Sequence, residues 1–291
     1  MKKQAAKQWS NKEYAGLATV SVVLLATYFL AMPFLLAGQY KDDALSAQNK
    51  VAEKVKTLSE QYQRPAFTKV DTTVAADKAD LEATRKSLGE TKDTLSTERD
   101  HITGFVKLPG MGLLSGTYRD ATIASRDAKE WVGKTEQAFT AAEADLSYFE
   151  YSNQIAAKYE NIGSSLQNLG GNESLETIAA ETDKIADQLQ TALGEIRQRP
   201  PADAVLRKSF EEENAQGEKL ISQLRRLATG VRNVDLTAIQ QAESEFEATS
   251  TTIDNQSNQA IIDYRTNSTL NKLIVDLKVL DRKLEDDFKK I

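Results

Sequence analysis

The amino-acid sequence predicts an all-α fold, with a single N-terminal transmembrane helix followed by an elongated antiparallel helical bundle or coiled coil. The first observation behind this prediction is a charge-free run near the amino terminus that is long enough to cross a bilayer. The second is the spacing of apolar residues in the rest of the chain, which recur at intervals of three, four and seven. That spacing is typical of helices, whereas a half-buried strand would alternate apolar and polar residues.

The composition of the chain excludes several kinds of chemistry. Its 291 residues include no Cys and one His, with 37 basic and 43 acidic side chains and a net charge of −6. Without sulfur there can be no disulfide scaffold, thiolate metal site, iron–sulfur cluster or Cys nucleophile. The acidic balance is opposite to that of a nucleic-acid-binding protein. We therefore expect no enzymatic activity, no catalytic residues, no cofactor, no metal site and no nucleic-acid partner.

The charge-free run extends from Tyr14 to Tyr40, and its apolar centre predicts the membrane segment. Residues 15–38 would form about 36 Å of helix at ~1.5 Å per residue, which exceeds the roughly 30 Å hydrocarbon core of a bilayer. We therefore expect residues 15–38 to be a transmembrane signal-anchor helix in contact with the lipid bilayer. No later apolar run approaches this length, so a single-pass protein is predicted.

Charged residues around this segment predict its orientation. The residues that precede it include four lysines and a single acid: Lys2, Lys3, Lys7, Lys12 and Glu13. On the other side, Asp42 and Asp43 follow Lys41. Because the side richer in Lys and Arg stays in the cytoplasm, residues 1–14 are predicted to be a cytoplasmic tail. The C-terminal region would then be extracytoplasmic, attached to the cell membrane.

The alternative to an anchor is a cleaved signal peptide, which has a 7–15-residue apolar region and a cleavage site with small residues. Here the apolar run is longer, and Leu35 and Leu36 are too large for such a site. Gln39 stands where the lipidated Cys of a lipoprotein would be required. An uncleaved anchor is therefore the favoured interpretation.

After the membrane segment, residues 39–66 are expected to form a helical stalk that continues the anchor outward. Val51, Val55, Leu58 and Tyr62 follow one another at spacings of four, three and four, the pattern of a coiled-coil seam. Arg64-Pro65 would end this helix. Residues 67–291 are then predicted to be the extracytoplasmic helical bundle.

The first helix of the bundle, at about 72–106, has the most regular pattern in the chain. Five apolar residues follow one another at intervals of seven: Val74, Leu81, Leu88, Leu95 and Ile102. Four basic residues form an edge beside this seam: Lys78, Arg85, Lys92 and Arg99. Such edges commonly pair with acids on a neighbouring helix, so interhelical ion pairs are expected here.

Four further helices are predicted from apolar spacing and from the positions of glycine and proline. The helix at about 120–169 ends at Gly170-Gly171, and the helix at 174–198 ends before Pro200-Pro201. The next spans 201–231. The last is predicted as one unbroken helix at 235–290 with Asp235 as its N-cap, because residues 231–291 contain neither Gly nor Pro.

The turn after the first bundle helix is unusually apolar. Its sequence, from Phe105 onward, is FVKLPGMGLLSG, and loops are normally polar. One interpretation is that the loop folds back and closes the end of the bundle. The other is that it contacts a partner protein or a second membrane, since exposed apolar clusters mark interaction sites. The candidate partner-contact residues are Phe105, Leu108, Met111, Leu113 and Leu114.

Three functions are compatible with this organisation. The favoured one is a non-enzymatic, membrane-anchored structural or interaction protein of the cell envelope. Such a stalk or scaffold would bind a protein partner, or another copy of itself, through coiled-coil faces. The alternative is a ligand-sensing or partner-dependent signalling ectodomain, because upright helical bundles also form chemoreceptor ectodomains. A helical-bundle toxin is less favoured, because the apolar loop is short and Gly-rich for a membrane-inserting tongue.

Overall fold

The structure, a computed structural model, describes residues 11–63, 67, 74–108, 110–167 and 174–291, without the side chains of residues 11–30, 114, 166, 167 and 254. This part of the chain contains helices and no strand, which confirms the predicted all-α class. The helices are α1 (Asn11–Gln61), α2 (Val74–Thr103), α3 (Met111–Leu114), α4 (Gly116–Gln167), α5 (Leu175–Ile196), α6 (Ala204–Asn233), α7 (Leu236–Asn267) and α8 (Thr269–Lys290).

The chain forms two compact units, and several long helices contribute to both. The first unit contains the described residues up to Ala52 together with Thr94–Gly133 and Lys278–Ile291. The second unit contains Glu53–Asp93 and Lys134–Leu277. Helices α1, α2, α4 and α8 therefore each supply one part to the first unit and another to the second.

In the first unit, neighbouring helices run antiparallel. The hydroxyl of Tyr40 on α1 donates to the carbonyl of Ile102 on α2 at 2.7 Å. Further along α1, Lys50 pairs with Glu98 at 2.8 Å, so residue numbers rise on one helix as they fall on the other. Small side chains let helices of this unit approach closely. The buried alanines on α1 and α4 are Ala37, Ala44, Ala47, Ala121, Ala124 and Ala128.

The residues predicted to form a stalk are part of the packed units instead. Val51, Leu58 and Tyr62 of the predicted seam are each at most 5% exposed, because other helices cover this stripe of α1. The stripe also begins earlier than predicted, with Pro33 and Ala37 already buried. A heptad pattern indicates that a stripe must be covered but not by which helices. Residues 64–66 of the predicted stalk lie outside the described residues.

Helix α2 confirms the seam and the ion pairs predicted from its sequence. Leu81, Leu88, Leu95 and Ile102 are all buried, and Val74 at the start of the helix is partly exposed. In the second unit, Lys92 binds Glu143 of α4 at 2.9 Å, and Arg85 binds Glu150 of the same helix. These pairs align α2 antiparallel to α4.

Helices α5, α6 and α7 lie antiparallel in sequence order within the second unit. Arg225 of α6 reaches Asp187 of α5 at 3.1 Å. On its other side, α6 contacts α7 through Gln223, whose amide donates to the hydroxyl of Thr249 at 2.9 Å. The apolar side chains between these helices and α4 form one buried cluster: Ile162, Ile185, Ala186, Leu189, Leu193, Ile221 and Leu224.

The predicted single helix at 235–290 is two helices in the structure. The backbone at Ser268 is extended, with φ −60° and ψ 155°, so α7 ends at Asn267 and α8 begins at Thr269. The buried Ser268 hydroxyl accepts a hydrogen bond from the Asn271 amide at 3.1 Å, as an N-cap does. A helix can therefore end in a sequence without Gly or Pro, because a Ser at the break can cap the helix that follows. Asp235 is the N-cap of α7, as predicted.

The predicted membrane segment, residues 15–38, falls within helix α1. In the part of the chain that the structure describes, no helix has the length and apolar character required to cross a membrane. Side chains of residues 15–30 lie outside the described residues, as do residues 1–10 of the predicted tail.

One carboxylate holds the starts of two helices that are distant in sequence. Asp203 is buried, and its Oδ1 accepts from the amide of Val205 at 2.9 Å and from that of Leu206 at 3.4 Å. Its Oδ2 accepts from the amide of Thr269, the first residue of α8, at 2.8 Å. Asp203 is therefore the N-cap of α6 and also pairs an amide of α8 that would have no intrahelical partner.

We expect Asp203→Ala to destabilise the protein more than loss of an ordinary cap. Removing a single N-cap costs about 1 kcal/mol, and Asp203 satisfies amides of two helices, so a loss of roughly 2 kcal/mol is expected. The matched control is Asp235→Ala, which removes an exposed cap of α7 alone. Urea unfolding followed by circular dichroism measures both. Equal losses in the two variants would contradict the double role of Asp203.

Candidate functional site

The predicted contact residues lie in the segment between α2 and α4, within the first unit. This segment runs from Gly104 to Ser115 and includes the single-turn helix α3. Gly110, immediately before α3, has φ 79°, a left-handed backbone conformation that residues with a Cβ rarely adopt. The amides of Leu113 and Ser115 donate to the carbonyls of Gly110 and Met111, both at 3.1 Å. The segment is therefore a compact, internally hydrogen-bonded turn.

Phe105 fixes the start of this turn against α1 and α4. Its ring centroid lies 5.0 Å from that of Tyr40 and 4.8 Å from that of Tyr118, and Phe105 is 8% exposed. Burial raises the pKa of Tyr40 well above its ordinary value, so the hydroxyl remains a proton donor to the Ile102 carbonyl. Aromatic contacts of this kind stabilise a fold beyond the area they bury.

The Tyr118 hydroxyl fixes the next part of the turn. It donates to the carbonyl of Val106 at 2.6 Å and accepts a hydrogen bond from the amide of Leu108. Two main-chain groups that no helix could satisfy are thereby paired by one buried side chain. The tyrosine came from outside the predicted contact set, and sequence alone gives no indication of this pairing.

The turn has a buried side and an exposed side. Phe105 and Met111 are buried, and Leu108 is partly exposed. In contrast, Leu113 is 93% exposed and Val106 is 59% exposed. The side chain of Leu114 lies outside the described residues. Part of the turn is therefore packed within the protein, and another part presents apolar side chains to its surroundings.

Substitutions in the turn should separate its packing residues from its exposed ones. Met111→Ala removes a buried side chain and is expected to cost about 2–3 kcal/mol of unfolding free energy. Leu113→Ala should change stability by less than about 0.5 kcal/mol, because its side chain is exposed. Denaturant unfolding of the two variants side by side tests this. A large loss from Leu113→Ala would mean that this leucine packs within the chain.

A second group of chemically unusual side chains lies in the second unit. Asp145 of α4 is 3% exposed, and its Oδ2 accepts a hydrogen bond from the hydroxyl of Tyr264 on α7 at 2.8 Å. Burial raises the pKa of Asp145 to about 7; the Tyr264 hydrogen bond acts to lower this pKa and the charge of Asp203 to raise it. This carboxyl can therefore gain or lose a proton near neutral pH.

Asp145 was not among the residues singled out from the sequence, although the sequence contains a signal for it. It comes three residues after Ala142 and four before Phe149, which places an acid on the apolar face of α4. Both neighbours are buried, and the Phe149 ring contacts the ring of Tyr264 at 5.6 Å. An acidic residue within an apolar stripe predicts a buried carboxyl with a raised pKa.

The cavity near Asp145 is too small for a substrate. It has a volume of about 30 Å³ and is lined by residues that include Tyr148, Phe149, Glu213 and Tyr264. Glu213 Oε1 accepts hydrogen bonds from Ser209 and Ser257 at its polar side, at 3.2 and 3.0 Å. This volume corresponds to about one water molecule, whereas ligand pockets are roughly tenfold larger or more.

The protonation of Asp145 should make stability depend on pH. Its pKa is about 7 in the folded protein and 3.8 as an ordinary aspartate, so the folded state binds the additional proton between these values. Stability therefore falls as the pH rises from about 4 to about 7, by an amount on the order of 4 kcal/mol at about 1.4 kcal/mol per pKa unit.

We expect Asp145→Asn to remove this pH dependence. The amide stays neutral and can still accept the Tyr264 hydrogen bond, so the variant should be more stable than the natural protein at pH 8 and similar at pH 4. Urea unfolding at pH 4, 6 and 8 measures the difference, with the exposed substitution Glu243→Gln as control. A difference between Asp145→Asn and the natural protein that does not vary with pH would contradict the raised pKa.

The larger concave surfaces of the second unit are open grooves. One, of about 660 Å³, lies along α4 and α5 and is lined by residues that include Lys158, Ile162 and Asp187. Another, of about 580 Å³, is lined by residues of α6 and α7 that include Arg226 and Gln241. Over the described residues, no three His, Asp or Glu side chains converge in a way that could hold a metal ion.

Comparisons with known proteins give no relative for this chain. No protein-family model, curated protein sequence or solved structure matches it.

Proposed function

We propose that this protein is a membrane-anchored, extracytoplasmic scaffold, non-enzymatic, that acts through contacts made by its helical faces. In this proposal residues 15–38 are a signal-anchor helix, and the rest of the chain is an ordered helical assembly outside the cytoplasm. The bilayer holds the chain through this helix, and protein partners or further copies of the chain bind the bundle.

The observation that carries the proposal is the continuity of helix α1. Its residues from Tyr14 to Tyr40 contain no charge, and the same helix runs without interruption from Asn11 to Gln61. Along this helix the apolar stripe that includes Ala44, Ala47 and Val51 is buried by the rest of the chain. In this proposal the anchor and the first helix of the bundle therefore belong to one continuous helix.

The extracytoplasmic orientation is supported by the charges that flank the proposed anchor. Lys2, Lys3 and Lys7 precede it, whereas Asp42 and Asp43 follow it. The Lys-rich side of a membrane segment stays in the cytoplasm. The absence of Cys from the whole chain fits an extracytoplasmic scaffold that does not depend on disulfides, since helix packing stabilises it.

The exposed apolar residues of the bundle support a role in binding other proteins. Val275 and Val279 lie one turn apart on α8 and are 51% and 62% exposed. Ile262 on α7 is 57% exposed. Apolar side chains exposed on helix surfaces are the kind of feature through which helices bind partner helices.

The topology can be tested with single cysteines, because the natural chain contains none. Gln4→Cys lies on the predicted cytoplasmic side, and Ser164→Cys replaces an exposed residue of α4. In intact cells, a membrane-impermeant maleimide should label the cysteine at 164 and not the one at 4. After permeabilisation both should react, which makes each variant its own control for reactivity.

Fractionation of the same cells completes the test. The protein should remain in the membrane pellet after alkaline carbonate extraction, as an integral membrane protein does. Recovery in the soluble fraction, or labelling of position 4 but not position 164 in intact cells, would overturn the proposed function.

A further inference from the structure

The covered part of α1 overlaps the charge-free run. Tyr40 ends this run, and Ala37 and Pro33 within it are buried by the folded chain. The six residues of helix from Pro33 to Gly38 are separated by five steps of ~1.5 Å, which extend about 7.5 Å along the helix axis. If residues 15–38 occupy the bilayer, part of the first unit must therefore reach the boundary between headgroups and acyl chains.

The turn between α2 and α4 lies beside Tyr40, the last residue of the charge-free run. Phe105 contacts Tyr40 directly, and the Ile102 carbonyl accepts the Tyr40 hydrogen bond. The exposed residues Val106 and Leu113 belong to this turn. On α1 itself, Phe34 is 59% exposed and Leu35 is 58% exposed. Apolar side chains of both the turn and α1 are therefore left exposed by the protein near the place where the helix would enter lipid.

The chemistry of the turn suits the boundary region of a bilayer. From Phe105 to Ser115 its only charged residue is Lys107, which is exposed and can extend its ammonium group towards water or headgroups. Several of its main-chain groups are paired locally, including the Val106 carbonyl with the Tyr118 hydroxyl and the Leu113 amide with the Gly110 carbonyl. Local pairing of this kind lowers the cost of leaving bulk water.

We propose that Val106 and Leu113 form a membrane foot, in which both side chains insert into the headgroup and acyl-chain boundary of the bilayer that holds α1. This inference rests on the proposed function, because it requires the anchor. The foot gives the first unit a second point of attachment, in addition to the helix. The bilayer is favoured over a protein partner because the exposed side chains lie beside the end of the charge-free run, where lipid is already present.

Fluorescence quenching by lipids of known depth tests this proposal on the full chain. The protein carrying Leu113→Cys is labelled with the environment-sensitive fluorophore nitrobenzoxadiazole and reconstituted into phosphatidylcholine vesicles. The same vesicles are prepared with and without phosphatidylcholine bearing a nitroxide high on its acyl chain. The control is Lys129→Cys, an exposed position in the same unit, on α4.

We expect the label at 113 to be quenched at least about threefold more strongly than the label at 129, since interfacial apolar groups lie roughly 5–10 Å into the boundary region. Val106→Cys should behave like Leu113→Cys. Both positions are more than half exposed, so neither label should disturb folding.

The outcomes separate the foot from the anchor. If the labelled protein floats with the vesicles but the labels at 113 and 129 are quenched equally little, the foot is overturned and the anchor stands. A Leu113 label that is unquenched in vesicles but crosslinks to another protein in cells likewise overturns the foot, in favour of a protein contact. If the protein does not float with the vesicles, both the anchor and the foot are overturned.

Discussion

The burial of one stripe of α1 is the constraint on which the rest of the structure depends. This stripe includes Ala37, Tyr40 and Val51 in the first unit and Leu58 in the second, and Tyr62 follows directly after the helix. The two tyrosines donate their hydroxyls to main-chain carbonyls of other helices, Tyr40 to Ile102 and Tyr62 to Ala142. Alanines between them let other helices approach closely. Both units therefore take part of their core from the same helix, and a change that exposes this stripe would remove packing from each.

Much of the fold could be predicted from the sequence, because helical periodicity is a local signal. The seven-residue repeat of α2 correctly gave its buried face, and its basic edge gave the ion pairs of Arg85 and Lys92 with α4. The break at Ser268 was missed, because capping by Ser competes with helix continuation through energies of only about 1 kcal/mol. The helices that cover α1 could not be predicted, because their contacting residues lie 62 to 233 residues away in sequence and periodicity carries no information about partners.

The candidate site was predictable in position but not in its division of roles. The apolar composition of the turn marked it as unusual, yet only the three-dimensional contacts separate Phe105 and Met111, which are buried, from Leu113, which is exposed. The contribution of Tyr118 depends on main-chain geometry that no motif records. Asp145 could have been found as an acid on an apolar helix face, but its pairing with Tyr264, 119 residues later, could not.

The double capping by Asp203 has a consequence for how the second unit opens. The amides that Asp203 holds belong to the first turns of α6 and α8, and the carboxylate also offsets the partial positive charge at both helix starts. Fraying of one helix start breaks the geometry that holds the other, although the two lie 66 residues apart in sequence. The beginnings of α6 and α8 therefore behave as a single cooperative unit of local unfolding. Helix ends are normally the first parts of a fold to open, but these two protect each other.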